Sequence, residues 1–242
     1  MIADLVDRFG YQDSGLLNAL IKYARRLVAI AAALSFGLQT LSAHAATAPD
    51  VAIRTATDNL LGIIEQARGY YDADPERYYK QVDSVIGPLV DFNSFSRGVM
   101  GRWGSRAYYE SLSDDAAKAA YREQVKRFSD SFREGLVRTY SKGLLAFSGE
   151  TIEVAPIAEA ELDSGQATVE QRIVGEDNDP LVIRYNMKRG KDGEWKVRNV
   201  MLDSLNLGKV YRNQFADAAG KYNGDLDQVI NNWSVSSAGT SE

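Results

Sequence analysis

Apolar residues recur at helical spacing along the first part of the chain. Ile53, Ala56, Leu60, Ile63, Ile64 and Ala67 share one side of residues 50–69, which predicts an amphipathic helix. Asp74 is a good N-cap, with Pro75 at the first helical position. Tyr78, Tyr79, Val82, Val85, Ile86 and Leu89 then predict a second helix over residues 75–90, ended or kinked by Pro88. Phe92, Phe95 and Val99 suit a short helix, and Gly98, Gly101 and Gly104 loosen the chain beyond it. Ser113 is expected to cap a long helix that reaches Phe147, with Asp114 and Asp115 complementing its dipole. Tyr121, Val125, Phe128 and Phe132 form its stripe, and the same face then shrinks to Gly135, Thr139 and Gly143. Two readings are open: close packing of another element over the small residues, or a groove that holds a ligand.

The periodicity then changes from helical to alternating. Thr151–Ile157, Ala167–Val174, Leu181–Lys188 and Glu194–Leu202 read as strands. The short connections GEDNDP (175–180) and RGKDG (189–193) favour an antiparallel meander. Alternation puts Val169 and Ile173 on one face, with Ile183, Tyr185 and Met187, and with Trp195, Val197 and Met201, on the faces of their strands. Arg172, Arg184, Lys188, Lys196 and Arg198 fall opposite, as a solvated sheet surface or as a docking face for an acidic partner. A helical stretch occupies 205–222, carrying Leu207, Val210, Tyr211, Phe215 and Ala218. A last short helix is capped by Asp225, with Leu226, Val229, Ile230 and Trp233 as its apolar side. Residues 234–242, SVSSAGTSE, read as a disordered tail. The fold class is therefore α+β, in helices–strands–helices order. A curved antiparallel sheet of about four strands is covered on one face by helices.

Composition removes most chemistry. The chain has no cysteine and one histidine, and that histidine, His44, lies in RRLVAIAAALSFGLQTLSAHAA. Arg25 and Arg26 form a basic flank, Leu27–Leu38 an apolar run, and Ala43-His44-Ala45 a small-residue cleavage site. Residues 1–45 thus read as a leader with a signal peptide, cleaved near Ala45, and residues 46–233 as a single domain. Residues 1–20, with Asp4, Asp7 and Asp13, fit a start site called too far upstream, or an unusually long leader. The apolar run is shorter than the ~20 residues a spanning helix needs. Downstream of it there is neither Cys nor His, so Cys–His and Ser–His–Asp catalysis lack parts, and a zinc site lacks its usual ligands. Ser141 and Lys142 are neighbours on a helix and point apart, which disfavours a Ser–Lys dyad. The net charge of −5 disfavours a nucleic-acid face. An apolar pocket between sheet and helices, holding a hydrophobic ligand by burial, fits this inventory. A generic interaction domain fits it too.

Three stretches decide between these by resemblance: LVDFNSFSRGVMGRWGSRAYY, EWKVRNVMLDSLNL, and VYRNQFADAAGKYNGDLDQVINNW. Together, in this order behind a signal peptide, they resemble the MlaC family of periplasmic phospholipid-binding proteins, also described as toluene-tolerance or ABC-transporter auxiliary components. The run Tyr211-Arg212-Asn213-Gln214-Phe215 is its most specific part. Asp203-Ser204-Leu205 stands where a glycine-containing turn is expected. The resemblance implies a carrier without enzymatic activity, cofactor or metal. Its cargo is phospholipid, and it maintains outer-membrane lipid asymmetry. Its partners would be an inner-membrane ABC transporter with a membrane-anchored substrate-binding component, and an outer-membrane lipoprotein complex. A secreted carboxylate-dependent hydrolase or a non-lipid structural adaptor is the alternative. Combining the resemblance with the apolar pattern gives the expected lipid-binding residues. Phe95 and Val99 form one wall, and Phe132, Leu136, Thr139 and Tyr140 come from the long helix. Val169, Ile173, Ile183, Tyr185 and Met201 form the sheet floor, and Leu207, Tyr211 and Phe215 close it. Arg212, Asn213 and Gln214 are left as solvated face, helix–sheet hydrogen bonding or pocket rim.

Overall fold

The computed structural model describes residues 47–175 and 179–235. The expected signal peptide, its cleavage site and most of the expected tail lie outside the described residues.

Helix α1 (Pro49–Ala67) begins on a proline at its first position, where the missing N–H costs no hydrogen bond. Helix α2 (Pro75–Leu89) repeats the device, and the Asp74 carboxylate accepts from the Arg77 N–H at 3.1 Å. Pro88 sits in the last turn of α2, and Val90 leaves in extended conformation to bridge Val197. Asp91 caps α3 (Phe92–Met100) by accepting from the Ser94 N–H at 2.9 Å. A 3₁₀ turn at Gly101–Gly104 and a five-residue helix, α4 (Arg106–Glu110), lead to the long helix α5 (Asp115–Leu144). Gly104 is required sterically, because a Cβ there would run into the backbone carbonyl of Arg97.

The cap of α5 is Asp114, not Ser113. The Asp114 carboxylate accepts from the Ala117 N–H at 2.8 Å, and the Ser113 hydroxyl donates to that carboxylate. These hydrogen bonds, the one from the Ala117 N–H foremost, hold the Asp114 carboxyl below its ordinary range. A carboxylate outcompetes a hydroxyl here because it also meets the positive end of the helix dipole.

Strands β1 (Thr151–Val154), β2 (Gln166–Val174), β3 (Leu181–Arg189), β4 (Trp195–Leu202) and β5 (Leu205–Asn206) form one antiparallel meander in sequence order. Its fifth strand and the short helix α6 (Glu159–Ser164) between β1 and β2 go beyond the alternation pattern. The β4–β5 turn places Asp203 at φ 52°, where a glycine is common. Its carboxylate accepts from the Val182 N–H at 2.9 Å, and its own N–H donates to the Val182 carbonyl at 2.7 Å. Asparagine and aspartate tolerate this conformation because their short side chains bond locally. The chain ends in α7 (Leu207–Lys221) and α8 (Leu226–Asn231), the latter capped by Asp225.

Helices α1, α2, α3 and α7 meet the sheet, and α5 packs on α2, α3 and α8. Apolar side chains gather in three clusters. One joins α3, α5, α7 and α8, one lies between α1 and the sheet, and one lies among α1, α2 and α5.

Candidate functional site

The site is built on the inner face of the sheet. Residues directly opposite in an antiparallel pair share a face, so the register sets its members. From β1 these are Ile152 and Val154, and from β2 Val169, Gln171 and Ile173. From β3 they are Ile183, Tyr185 and Met187, and from β4 Val197, Val200 and Leu202. The two ends of this face differ. At one end Val169, Met187, Trp195 and Val197 are buried against Ile53 of α1. At the other, Ile152, Ile173 and Ile183 are only half-buried and join none of the three apolar clusters. Val200 and Leu202 border them and pack against the helical cluster. An isoleucine in a filled interior touches several neighbours on all sides and loses nearly all its surface. These three mark a half-buried apolar strip outside the three clusters.

Tyr185 gives the strip its depth. Part of its surface stays accessible, yet desolvation alone holds its phenol well above the ordinary tyrosine range. The ring packs against the cluster between α1 and the sheet. Its hydroxyl donates to Gln171 Oε1 at 2.7 Å. Gln171 Nε2 donates to Thr57 Oγ1 at 2.7 Å, and the Thr57 hydroxyl donates to the Ile53 carbonyl at 2.9 Å. Gln171 is buried, so this chain of bonds spares it the cost of an unpaired amide and fastens α1 to the floor of the strip.

The helical side is a closed aromatic core. Phe95, Val99, Phe132, Leu207, Tyr211 and Phe215 belong to one cluster with Phe128. Phe132 meets Phe95 edge-on with ring centroids 5.4 Å apart and Tyr211 at 5.3 Å, and Phe128 meets Phe215 at 4.9 Å. The hydroxyls of Tyr140 and Tyr211 lie 2.9 Å apart. Burial first, and this bond second, push the Tyr211 phenol well above its ordinary range. Leu136 and Tyr140 sit half-buried at the border of the cluster.

The family described as MlaC protein matches residues 54–235, from within α1 to the last described residue. The chain belongs to the MlaC family. It is 32% identical over 190 residues to the toluene tolerance protein ttg2D of Pseudomonas putida, covering 78% of this chain and 81% of that protein. It is 25% identical over 185 residues to the intermembrane phospholipid transport system binding protein MlaC of Haemophilus influenzae, covering 75% and 79%.

Of the residues expected to line a MlaC-type pocket, Ile173, Ile183 and Tyr185 lie together on the strip. Val169 lies at its packed end. Met201 is a correction: it pairs with Arg184 and Asn206 and points to the opposite face. A bulge in β4, where the register shifts opposite Asn186 and Met187, adds one residue and reverses the alternation after Val197. Val200 and Leu202 take the inner positions instead. Of the two readings of the small-residue face of α5, the structure shows close packing at Gly135 and Thr139, so Thr139 is not a pocket residue. A Cβ at Gly135 would meet the Val235 side chain, and the Thr139 hydroxyl donates to the Val235 carbonyl at 3.3 Å. The chain's own C-terminal segment therefore lies over the small residues, while Gly143 is exposed with open space around it. Phe95, Val99, Phe132, Leu207, Tyr211 and Phe215 form packed core, with at most 6% of their surface accessible.

Sequence reasoning missed Ile152, Leu202 and Gln171. Gln171 carried a signal, as the one polar residue between Val169 and Ile173 on the inward alternation of β2. Ile152 and Leu202 carried none that separates them from ordinary core. Arg212 donates from Nε to the Gly98 carbonyl at 2.8 Å, tying α7 to α3. Among the described residues no cluster of His, Cys, Asp or Glu is gathered to hold a metal ion, and no helix is long and apolar enough to cross a membrane.

Proposed function

We propose that the chain is a periplasmic phospholipid carrier, working between the inner and outer membranes with an ABC transporter system, and that it acts without covalent chemistry. The inner-face isoleucines, half-buried and outside the three apolar clusters, carry this reading. Acyl chains laid on Ile152, Ile173 and Ile183 would complete the interior, each buried methylene contributing about 0.8 kcal/mol. The shared family with a phospholipid transport binding protein supports the same cargo. A carboxylate-dependent hydrolase finds no support among the described residues. Glu76, Glu170 and Asp227 are held below their ordinary range chiefly by side-chain hydrogen bonds, from Arg138, Arg172 and Gln124 respectively. A general acid needs the opposite displacement. The docking partners in this reading are the transporter's membrane-anchored substrate-binding component and an outer-membrane lipoprotein complex.

Organic extraction of the purified chain, followed by mass spectrometry, tests the reading. Copurifying phospholipid is the expected result. A chain that carries none, and cannot be loaded from lipid vesicles, is not a carrier.

A further inference from the structure

Two clefts, of about 500 and 530 Å³, adjoin at Arg198, which lines both. The first lies between α3 and the start of α7 and adds Lys209 and Arg212, together with the amides of Asn199, Asn206 and Asn213. The second lies between the end of α2 and the β3–β4 turn and adds Lys188, Lys191 and Lys196. Six cations thus line the two clefts, with only the carboxylates of Asp91 and Asp192 among them. The chain as a whole carries −5, so this local excess runs against its overall sign.

The hydrogen bonding preserves that excess. Lys196 Nζ donates to the Pro88 carbonyl at 2.8 Å, and Arg212 Nε to the Gly98 carbonyl at 2.8 Å. Neutral acceptors fix both side chains without cancelling their charge. Lys188, Lys191 and Lys209 form no ion pair among the described residues. Arg198 pairs with Asp91 at 2.9 Å, but its Nε is buried without a partner. The cations of the neighbouring sheet surface behave differently. Arg172 and Arg184 both bond to Glu170, at 2.9 and 3.1 Å, so one carboxylate offsets one of their two charges.

We propose that this double cleft docks an acidic segment of a partner polypeptide. Opposed potentials steer such an encounter and fix its register. A concave, amide-lined hollow receives protruding carboxylates. An anionic bilayer instead selects convex surfaces with an apolar anchor to insert. Among the described residues the exposed large hydrophobics are Val51 and Leu181, and neither lines these clefts. The proposal does not depend on the phospholipid reading.

The test is binding of a fluorescein-labelled oligoglutamate peptide to the full chain, followed by anisotropy at low and physiological ionic strength. Salt-sensitive binding is expected. K209E/R212E and K188E/K191E should each weaken it about tenfold or more, by replacing attraction with repulsion, while R102E/R106E, whose residues line neither cleft, should not. Unchanged affinity in both cleft variants overturns the proposal, as does an equal loss in R102E/R106E. It is also overturned if phosphatidylglycerol vesicles bind, lose binding through the same substitutions, and oligoglutamate does not bind. Phospholipid extracted from the same cleft variants is expected at the wild-type level, so failure of docking and failure of the lipid reading remain distinguishable.

Discussion

Ile183→Trp is the sharpest perturbation of the proposed pocket. Ile183 sits opposite Gln171 and Leu202 on the inner face, half-buried and outside all three apolar clusters. An indole there extends over the strip, outside the three apolar clusters. Displacing the equivalent of three lipid methylenes, at ~0.8 kcal/mol each, costs about 2.4 kcal/mol of lipid binding, on the order of fiftyfold in affinity. The fold should lose little, because Ile183 is only half-buried, whereas overpacking a filled core costs ~1–3 kcal/mol. Native mass spectrometry would read lipid occupancy, and chemical denaturation of the delipidated chain would read stability. The expected pattern is depleted lipid with a denaturation midpoint near that of the parent. Full lipid occupancy in a stable I183W protein would refute the assignment of the strip. A parallel fall in stability and loading would show that Ile183 is closed core. Ile173→Phe, a smaller enlargement one strand away, should give a weaker version of the same pattern.

Phe132→Ala should behave in the opposite sense. Phe132 is fully buried against Phe95, Phe128 and Tyr211, so ~3–5 kcal/mol of stability is lost in urea denaturation. Gly135→Ala separates a covered glycine from a free one. A free helical glycine would gain ~1 kcal/mol on replacement, but the contact with Val235 predicts net destabilisation, and a stabilised variant would disprove that packing. Stability should be flat across neutral pH, because the one histidine, His44, lies outside the described residues and within the expected leader. It should fall in acid, where Glu76, Glu170 and Asp227 have folded-state pKa values held below their unfolded ones. The contribution of such groups is complete above the unfolded pKa and is lost as pH falls through the folded one. It should also fall above pH ~10, as unfolded tyrosines ionise while burial keeps the Tyr78 phenol up at about 12. Thermal melts across the pH range check both limits, and a transition near pH ~6.5, the ordinary histidine range, would contradict this assignment.

The helices were legible because each carries redundant signals. In α2 the Asp74 cap, Pro75 and the apolar period agree, and in α8 the Asp225 cap and Leu226, Val229 and Ile230 agree. The meander was legible from alternation and two short loops. The bulge in β4 was not, because an extra residue needs no marker side chain when the added position is an ordinary Arg or Asn. One such insertion moved Met201 to the far face and brought Leu202 inward. The run Gly135, Thr139, Gly143 shows a related limit. Small residues signal close approach, but only the fold reveals that the approaching group at Gly135 is Val235, far along the chain.

The strip itself could not be read because an isoleucine packed against protein and one awaiting a ligand carry the same pattern. The arrangement of the rest of the interior separates them. A carrier must stay folded after its cargo leaves, so its stability has to come from contacts the cargo does not make. The aromatic cluster on α3, α5, α7 and α8 meets that need, with Phe128, Phe132, Tyr211 and Phe215 fully enclosed by protein. The strip on β1, β2 and β3 contributes little of this packing, and in the proposed function its apolar surface is where cargo lies. Cargo then adds stability only through mass action, in proportion to RT ln(1 + [L]/Kd). Removing it lowers the melting temperature without unfolding the chain. The Thr57–Gln171–Tyr185 bonds stand at the boundary between the two regions. They tie α1 to the sheet beside the strip.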